Sequence, residues 1–307
     1  VSLRELVILG TSSQVPTRHR NHNGYLLRWD GHGFLFDPGE GTQRQFIHAN
    51  VAVTAVTKIF ITHFHGDHCL GLAGIIQRLS LDRVKHRVEV YFPETGRVYF
   101  ERLVNASIYV KSFRPIPCPV PLDGGIVGRD GNLVIEAYPL VHAVDTVGYR
   151  ISEADVQRFL PEKLAALGLS GPVVGELQRK GFVEVGGQRI TKEEVTWTRR
   201  GAVFSFLMDT RLTDNCFEVA RGADLIVSES TFLEEDAKLA RNYRHLTAGQ
   251  AGLIARDAGA RSLVLAHFSQ RYPDVRRFKR EAQEFFPKVT AARDLDTVSF
   301  ERPVDEL

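Results

Sequence analysis

The stretch Thr62-His63-Phe64-His65-Gly66-Asp67-His68 constrains this chain more than any other. It places three imidazoles and one carboxylate within six residues, directly after the apolar run Ile59-Phe60-Ile61. That placement predicts a buried strand ending in a loop that carries ligands. His63 and His65 are two apart, so in an extended segment their rings share a face. Asp67 and His68 follow as the chain turns into a helix and address a second point nearby. Imidazole nitrogen and carboxylate oxygen are donors that suit zinc and its borderline-soft neighbours.

The rest of the chain reads as strands then helices, twice over. Leu6 to Leu9 predicts an opening strand, and Tyr25–Trp29 with Phe34–Phe36 predicts a hairpin about Asp30-Gly31-His32-Gly33. The segment Pro16 to His22 is basic and polar, and is expected to be exposed. Leu72, Ile75, Ile76 and Leu79 fall on one helical face. Pro115, Pro117, Pro119 and Pro121 predict an irregular connection. Apolar strands are expected to end at Val141, Leu207 and Ala266, the last taken as the final core strand. This order suits two mixed β-sheets packed face to face with helices outside, one α/β domain over 1–307. From Glu153 to Arg199 the composition shifts to charged, glycine-punctuated sequence with few large apolar residues. That stretch is expected to be a mainly helical insertion that protrudes or packs on a partner.

Composition excludes several classes. With 307 residues, 43% hydrophobic and 25% charged, the chain is of ordinary globular make-up. A net charge of +2 carries no global signal for nucleic acid. Cys69, Cys118 and Cys216 are too few and scattered for a disulfide framework and fit a reducing cytosol. No secretory leader is expected at the start, and no stretch approaches the roughly 18–20 apolar residues that span a bilayer.

The His-x-His-x-Asp-His string resembles the signature of the metallo-β-lactamase superfamily residue for residue. The resemblance implies that family's αββα sandwich and a fixed order of further ligands downstream. The candidates are His142, Asp209 and His267, each following one of the apolar strands above. It implies His63, His65 and His142 around one metal, Asp67, His68 and His267 around another, and Asp209 between them. Two Zn2+ per subunit are expected, and Mn2+ or another divalent metal has a compatible donor set. Asp67 would also orient the attacking water as a base.

Further motifs narrow the likeness. Gly10-Thr11, Asp37-x-Gly39-Glu40-Gly41-Thr42-Gln43, Asp209-Thr210, Glu229-Ser230-Thr231-Phe232 and His267-Phe268-Ser269-Gln270-Arg271-Tyr272 together resemble the tRNase Z (ribonuclease Z) family, short form. The resemblance implies an endoribonuclease that removes the 3′ trailer from precursor tRNA, cutting after the discriminator base and leaving a 3′ hydroxyl. It implies that residues 153–199, with Gly171-Pro172, Arg179 and Lys180, are a flexible arm gripping the tRNA body. It implies that Arg18, Arg20 and Asn21 lie near the tRNA 3′ end, and that Glu229 and His245 protonate the leaving oxygen. It also implies a cytoplasmic homodimer whose partner is precursor tRNA, with neither DNA nor a membrane involved. Three positions depart from the family pattern: Arg18 replaces Lys, Leu246 replaces Ser, and Met208 replaces Gly. Two other readings stay open on sequence alone, a small-molecule phosphodiesterase or arylsulfatase-like hydrolase of this fold, and a metal-stabilised RNA-binding protein.

Overall fold

In the computed structural model, which describes residues 3–300, the first part of the chain builds one mixed sheet. Strands β1 (Arg4–Gly10), β2 (Gly24–Trp29) and β3 (His32–Phe36) are antiparallel neighbours. Helix α1 (Thr42–His48) leads to β4 (Lys58–Phe60), which runs parallel to β3. Helices α2 (Gly66–Cys69) and α3 (Leu72–Leu81) return the chain to β5 (Glu89–Pro93), and α4 (Arg97–Val104) returns it to β6 (Ile116–Val120). Leu72, Ile75, Ile76 and Leu79 are all buried, packed with Phe46 and Phe100 on the outer face of this sheet.

β6 replaces the irregular connection expected from its prolines. It is an edge strand, and only one of its sides pairs. Pro117 and Pro119 alternate with Ile116, Cys118 and Val120. The residues that keep an N–H therefore recur every second position, the spacing at which a strand presents donors to one neighbour. Strands β7 (Gly125–Asp130), β8 (Leu133–Val141) and β9 (Asp145–Glu153) then begin the second sheet.

Residues 153–202 form a compact unit of their own, and it is not mainly helical. It holds β10 (Val156–Phe159), α5 (Pro161–Ala166), α6 (Pro172–Lys180), β11 (Phe182–Val185), β12 (Gln188–Thr191) and β13 (Thr196–Arg199). β10 pairs with β13 and β11 with β12. The hairpin follows from Gly186-Gly187, both at positive φ, between β-branched and aromatic residues. Glycines also bound α6. Gly171, at φ +55° and ψ −129°, precedes Pro172, and Gly181 closes the helix in the left-handed region. Leu169, Leu177, Val183, Ile190 and Val195 make a small buried cluster inside the unit, more core than the composition led one to expect.

The second sheet continues with β14 (Val203–Leu207), which pairs antiparallel with β9. After α7 (Asp214–Ala220) come β15 (Leu225–Glu229), α8 (Ala237–Tyr243), α9 (Ala248–Asp257), β16 (Leu263–Ala266), α10 (Arg276–Gln283) and β17 (Val289–Ala291). β14 to β17 are parallel, so their C-terminal ends line up along one edge. β16 is therefore not the last core strand, since β17 extends its sheet and β18 (Thr297–Ser299) joins the first sheet beside β1. The strand orders are β18-β1-β2-β3-β4-β5-β6 and β17-β16-β15-β14-β9-β8-β7.

Aromatic rings lock the two sheets together. Phe36 lies 4.7 Å from Phe206 between centroids, Tyr25 5.3 Å from Phe206, and Phe60 5.1 Å from Tyr149. Helices on the outer faces complete an αββα sandwich. Among the described residues no helix is long and apolar enough to cross a membrane. Phe206 is fully buried one turn of chain before Asp209. Phe206→Ala is expected to cost about 3–5 kcal/mol of folding stability, the usual range for a buried Phe, read from denaturant unfolding.

Candidate metal centre

The loop after β4 is held by backbone contact. A Cβ at Gly39 would sit 2.2 Å from the Asp67 carbonyl oxygen, and one at Gly71 would sit 2.0 Å from the Gly39 carbonyl oxygen. These two glycines let the Asp37–Gly41 loop lie directly against the segment that carries Asp67 and His68. The strand ends supply the rest: His142 follows β8, Asp209 follows β14 and His267 follows β16. Asp209 and His267 take φ of +35° and +59°, conformations that L-residues adopt at a cost of about 1–3 kcal/mol each.

The structure brings seven donors into two groups. In one, His65 Nδ1 lies 3.0 Å from His63 Nε2 and 3.3 Å from His142 Nε2, and Asp209 Oδ2 lies 3.6 Å from both His63 and His142. In the other, His68 Nε2 and His267 Nε2 are 3.2 Å apart, each 3.4 Å from Asp67 Oδ2. Asp209 Oδ1 faces this second group, 3.1 Å from His267 and 3.4 Å from His68. One carboxylate thus addresses both groups with different oxygens.

This arrangement fits divalent cations. Asp209 Oδ1 is buried and has no hydrogen-bond partner, although His267 and His68 nitrogens lie 3.1 and 3.4 Å away. The imidazole nitrogens of each group face one another too closely for all to be satisfied by shared protons. Behind the rings, the other nitrogens are held. His68 Nδ1 donates to Asp37 Oδ2 at 2.8 Å, His63 Nδ1 to Thr62 Oγ1 at 3.0 Å, His267 Nδ1 to Thr231 Oγ1 at 2.7 Å, and His142 Nδ1 to the Arg244 carbonyl at 3.2 Å. Each bond fixes a tautomer whose Nε2 lone pair points into the cluster, the arrangement that tunes metal-binding histidines.

Electrostatics follow the same geometry. Burial works against the Asp67 carboxylate, but His68 and His267 hold it well below the usual range. Burial pushes the Asp37 carboxyl up, opposed by His68 and by bonds from the Thr62 backbone N–H (2.8 Å) and hydroxyl (2.7 Å). Burial lowers His63, His65 and His142, which favours the neutral ligand form.

Glu229 and His245 stand beside the cluster. His245 Nδ1 lies 3.1 Å from both Glu229 oxygens. Glu229 is fully buried and also accepts from the Thr210 N–H at 2.6 Å and the Thr231 hydroxyl at 2.6 Å. Burial pulls the His245 imidazolium down, but the charges of Glu229 and Asp209 and the bond to Glu229 together lift the pKa to about 9. A cleft of about 360 Å³ opens over these groups, rimmed by Val15, Phe232, Tyr243, Gln270 and Arg271.

The other sequence candidates lie elsewhere. Arg18 is exposed on the rim loop between β1 and β2, and its side chain makes no bond among the described residues. The rim is less exposed than expected. Arg20 is half-buried and donates through Nη2 to the Ser269 and Tyr272 carbonyls, at 3.3 and 3.1 Å. The Asn21 amide donates to the Glu40 carbonyl at 2.8 Å, and its backbone N–H to Asp294 Oδ2 at 2.6 Å. Gly171, Pro172, Arg179 and Lys180 belong to the 153–202 unit, where Lys180 pairs with Glu176 at 2.7 Å. Sequence reasoning gave no role to Asp37, Thr62, Thr231 or Asp294. For Asp37 a signal exists, since it directly follows the apolar strand β3, the parallel neighbour of the strand before His63.

Residues 17–153 match the metallo-β-lactamase superfamily. The chain is 53% identical over 303 residues to a ribonuclease Z of Nocardia farcinica, covering 97% of this chain and 98% of that one. It is 49% identical over 300 residues to a ribonuclease Z of Protochlamydia amoebophila, covering 98% of each. Among solved structures, human tRNase Z, short form, superposes with a TM-score of 0.71 at 24% identity over 98% of this chain and all of that one, a likeness of fold.

Asp37→Asn removes the charged acceptor behind His68 while keeping the shape. It is expected to weaken divalent-metal binding by about 10–100-fold, measured by competition with a chromogenic chelator, with secondary structure unchanged by circular dichroism.

Proposed function

The chain belongs to the ribonuclease Z family of metal-dependent endoribonucleases that process tRNA 3′ ends, and from that premise we propose how its residues cut precursor tRNA after the discriminator base, leaving a 3′ hydroxyl. The small-molecule hydrolase and the non-catalytic RNA-binder are not favoured by these relatives.

The enzyme depends on divalent metal. In the proposed assignment His63, His65 and His142 hold one Zn2+, Asp67, His68 and His267 hold a second, and Asp209 serves both. Divalent cations held there would supply Lewis acidity toward a phosphodiester and a more acidic water. Asp67 accepts a hydrogen bond from the attacking water and sets its direction.

The observation that carries the reading is the Glu229–His245 contact. A ribose 3′ oxygen is a poor leaving group and needs a proton as its bond to phosphorus breaks. His245, kept protonated at neutral pH by Glu229, donates it, while the Thr210 N–H and Thr231 hydroxyl keep Glu229 ionised and aimed. At the rim Arg18 meets phosphate, whereas Arg20 through Nη2 and Asn21 through its amide shape the loop. Arg179 and Lys180, exposed on α6, are assigned to the tRNA body, with Gly171 and Pro172 setting the helix start.

The assembly we propose is a homodimer acting in the cytoplasm. Exposed Ile47, Leu70, Leu81, Val98, Tyr99 and Ile108 on the helical layer outside the first sheet support association. Sedimentation showing only monomer at full activity would remove that part of the reading.

With Zn2+, a trailer-bearing precursor tRNA is expected to give a single cut, and deletion of residues 153–199 to abolish it. His245→Ala and Glu229→Gln are expected to lower kcat on precursor tRNA by about 10²–10⁴-fold. Both should retain most turnover of an activated aryl phosphodiester, whose leaving group needs no proton. Equal losses on the two substrates would show a structural role instead.

A further inference from the structure

Beyond the rim loop lies a second cavity, of about 720 Å³, that no step above uses. Its walls come from the rim loop, from the turn before α10 and from the segment after β17. Four arginines line it, Arg18, Arg20, Arg276 and Arg293, with two carboxylates, Asp274 and Asp294.

The carboxylates are spent. Asp274 forms a two-pronged pair with Arg276 at 2.8 and 3.1 Å. Asp294 accepts from the Thr11 hydroxyl at 2.7 Å and from the Asn21 N–H at 2.6 Å, tying the rim loop down. The cations are only partly engaged: Arg276 gives Nε and Nη2 to Asp274 and keeps Nη1. Among the described residues the side chains of Arg18 and Arg293 make no hydrogen bond or ion pair, and Arg20 Nη1 is buried without a partner. A cavity with satisfied acids and unsatisfied guanidinium groups is built for an anion, and planar guanidinium forks suit phosphate.

Its position identifies the anion. In the second sheet β15, β16 and β17 adjoin in that order, and their C-terminal ends lead to Glu229, His267 and Ala292 to Asp294. His245 marks the β15 end as the place of the leaving 3′ oxygen, on the tRNA side of the cut. The cavity lies at the opposite end of this row, past His267. Gln270 lines both the metal cleft and the cavity, so a strand leaving the cleft in this direction enters it at once.

We propose that this cavity binds a phosphate of the 3′ trailer, with Arg276 and Arg293 as trailer-gripping residues. The proposal rests on the reading of the protein as a precursor-tRNA nuclease. It makes the enzyme sensitive to trailer length at residues remote from the scissile bond.

The test compares the zinc-loaded full chain with an Arg276→Glu/Arg293→Glu double variant. Both positions are exposed, so folding is expected to survive, and a matching melting temperature verifies it. The substrates are one precursor tRNA with a trailer of a single nucleotide and the same tRNA with a trailer of about ten. The variant is expected to lose about tenfold in kcat/KM on the long trailer, with a shallower salt dependence, and less than about twofold on the short one. Equal loss on both substrates, or none on either, overturns the proposal. Added adenosine 5′-monophosphate should slow only long-trailer cleavage; equal inhibition of both would mark a free-nucleotide site and also overturn it. If the unaltered enzyme cuts neither substrate, the nuclease reading itself fails, an outcome distinct from all of these.

Discussion

Ring nitrogens facing one another at 3.0–3.3 Å around a buried carboxylate are the constraint on which this structure depends. Without a cation, lone pairs oppose one another and Asp209 Oδ1 goes unsatisfied, at about 1–3 kcal/mol for that atom alone. The chain tolerates this because the cluster is clamped from outside. Asp37, Thr62, Thr231 and the Arg244 carbonyl each hold the far nitrogen of a ring, so the rings cannot rotate to relieve the crowding. Binding a divalent metal turns the same crowding into coordination, which makes metal affinity part of the folding free energy.

The clamp is anchored in the sandwich core. Asp37 follows Phe36 and Asp209 follows β14, and Phe36 and Phe206 meet ring against ring between the sheets. The strands are thus rigid up to the residue at which the backbone turns into the left-handed region, at Asp37, Asp209 and His267. Tight aromatic packing sustains that strain and converts it into aim. The departures from the family pattern sit in the same frame. Met208 and Leu246 are both fully buried, so a side chain fills interior space at each position, and at Leu246 the hydroxyl of the family pattern is lost.

The second sheet's strands are legible in the sequence where apolar runs are long enough to stand out, as in Leu133 to Val141 and Val203 to Leu207. β17 and β18 are not, because three residues each give no period to read. β6 is hidden by its prolines, whose alternation only makes sense once the strand is known to lie at an edge. The hairpin of residues 182–191 is masked by charge, since Glu184, Gln188 and Arg189 face solvent on a small unit with a core of five residues. The donors of the site stand at ends of apolar runs and can be picked out. Their supports cannot, because a threonine or aspartate holding a ring from behind looks like any polar residue until the fold brings it there.

The rim loop shows why charge in a sequence is a poor guide to contact. Arg18 and Arg20 are two residues apart and equivalent on paper. In the fold Arg20 turns inward and is half-buried, donating to the Ser269 and Tyr272 carbonyls, while Arg18 stays free. Asp294, from the far end of the chain, fastens the loop at Thr11 and Asn21. One arginine is therefore scaffold and the other is reach. Replacing Arg20 should disturb the shape of the rim, whereas replacing Arg18 should remove a charge and leave the shape alone. The same division of labour runs through the metal centre, where His63, His68, His142 and His267 each rely on a partner that holds the ring from behind.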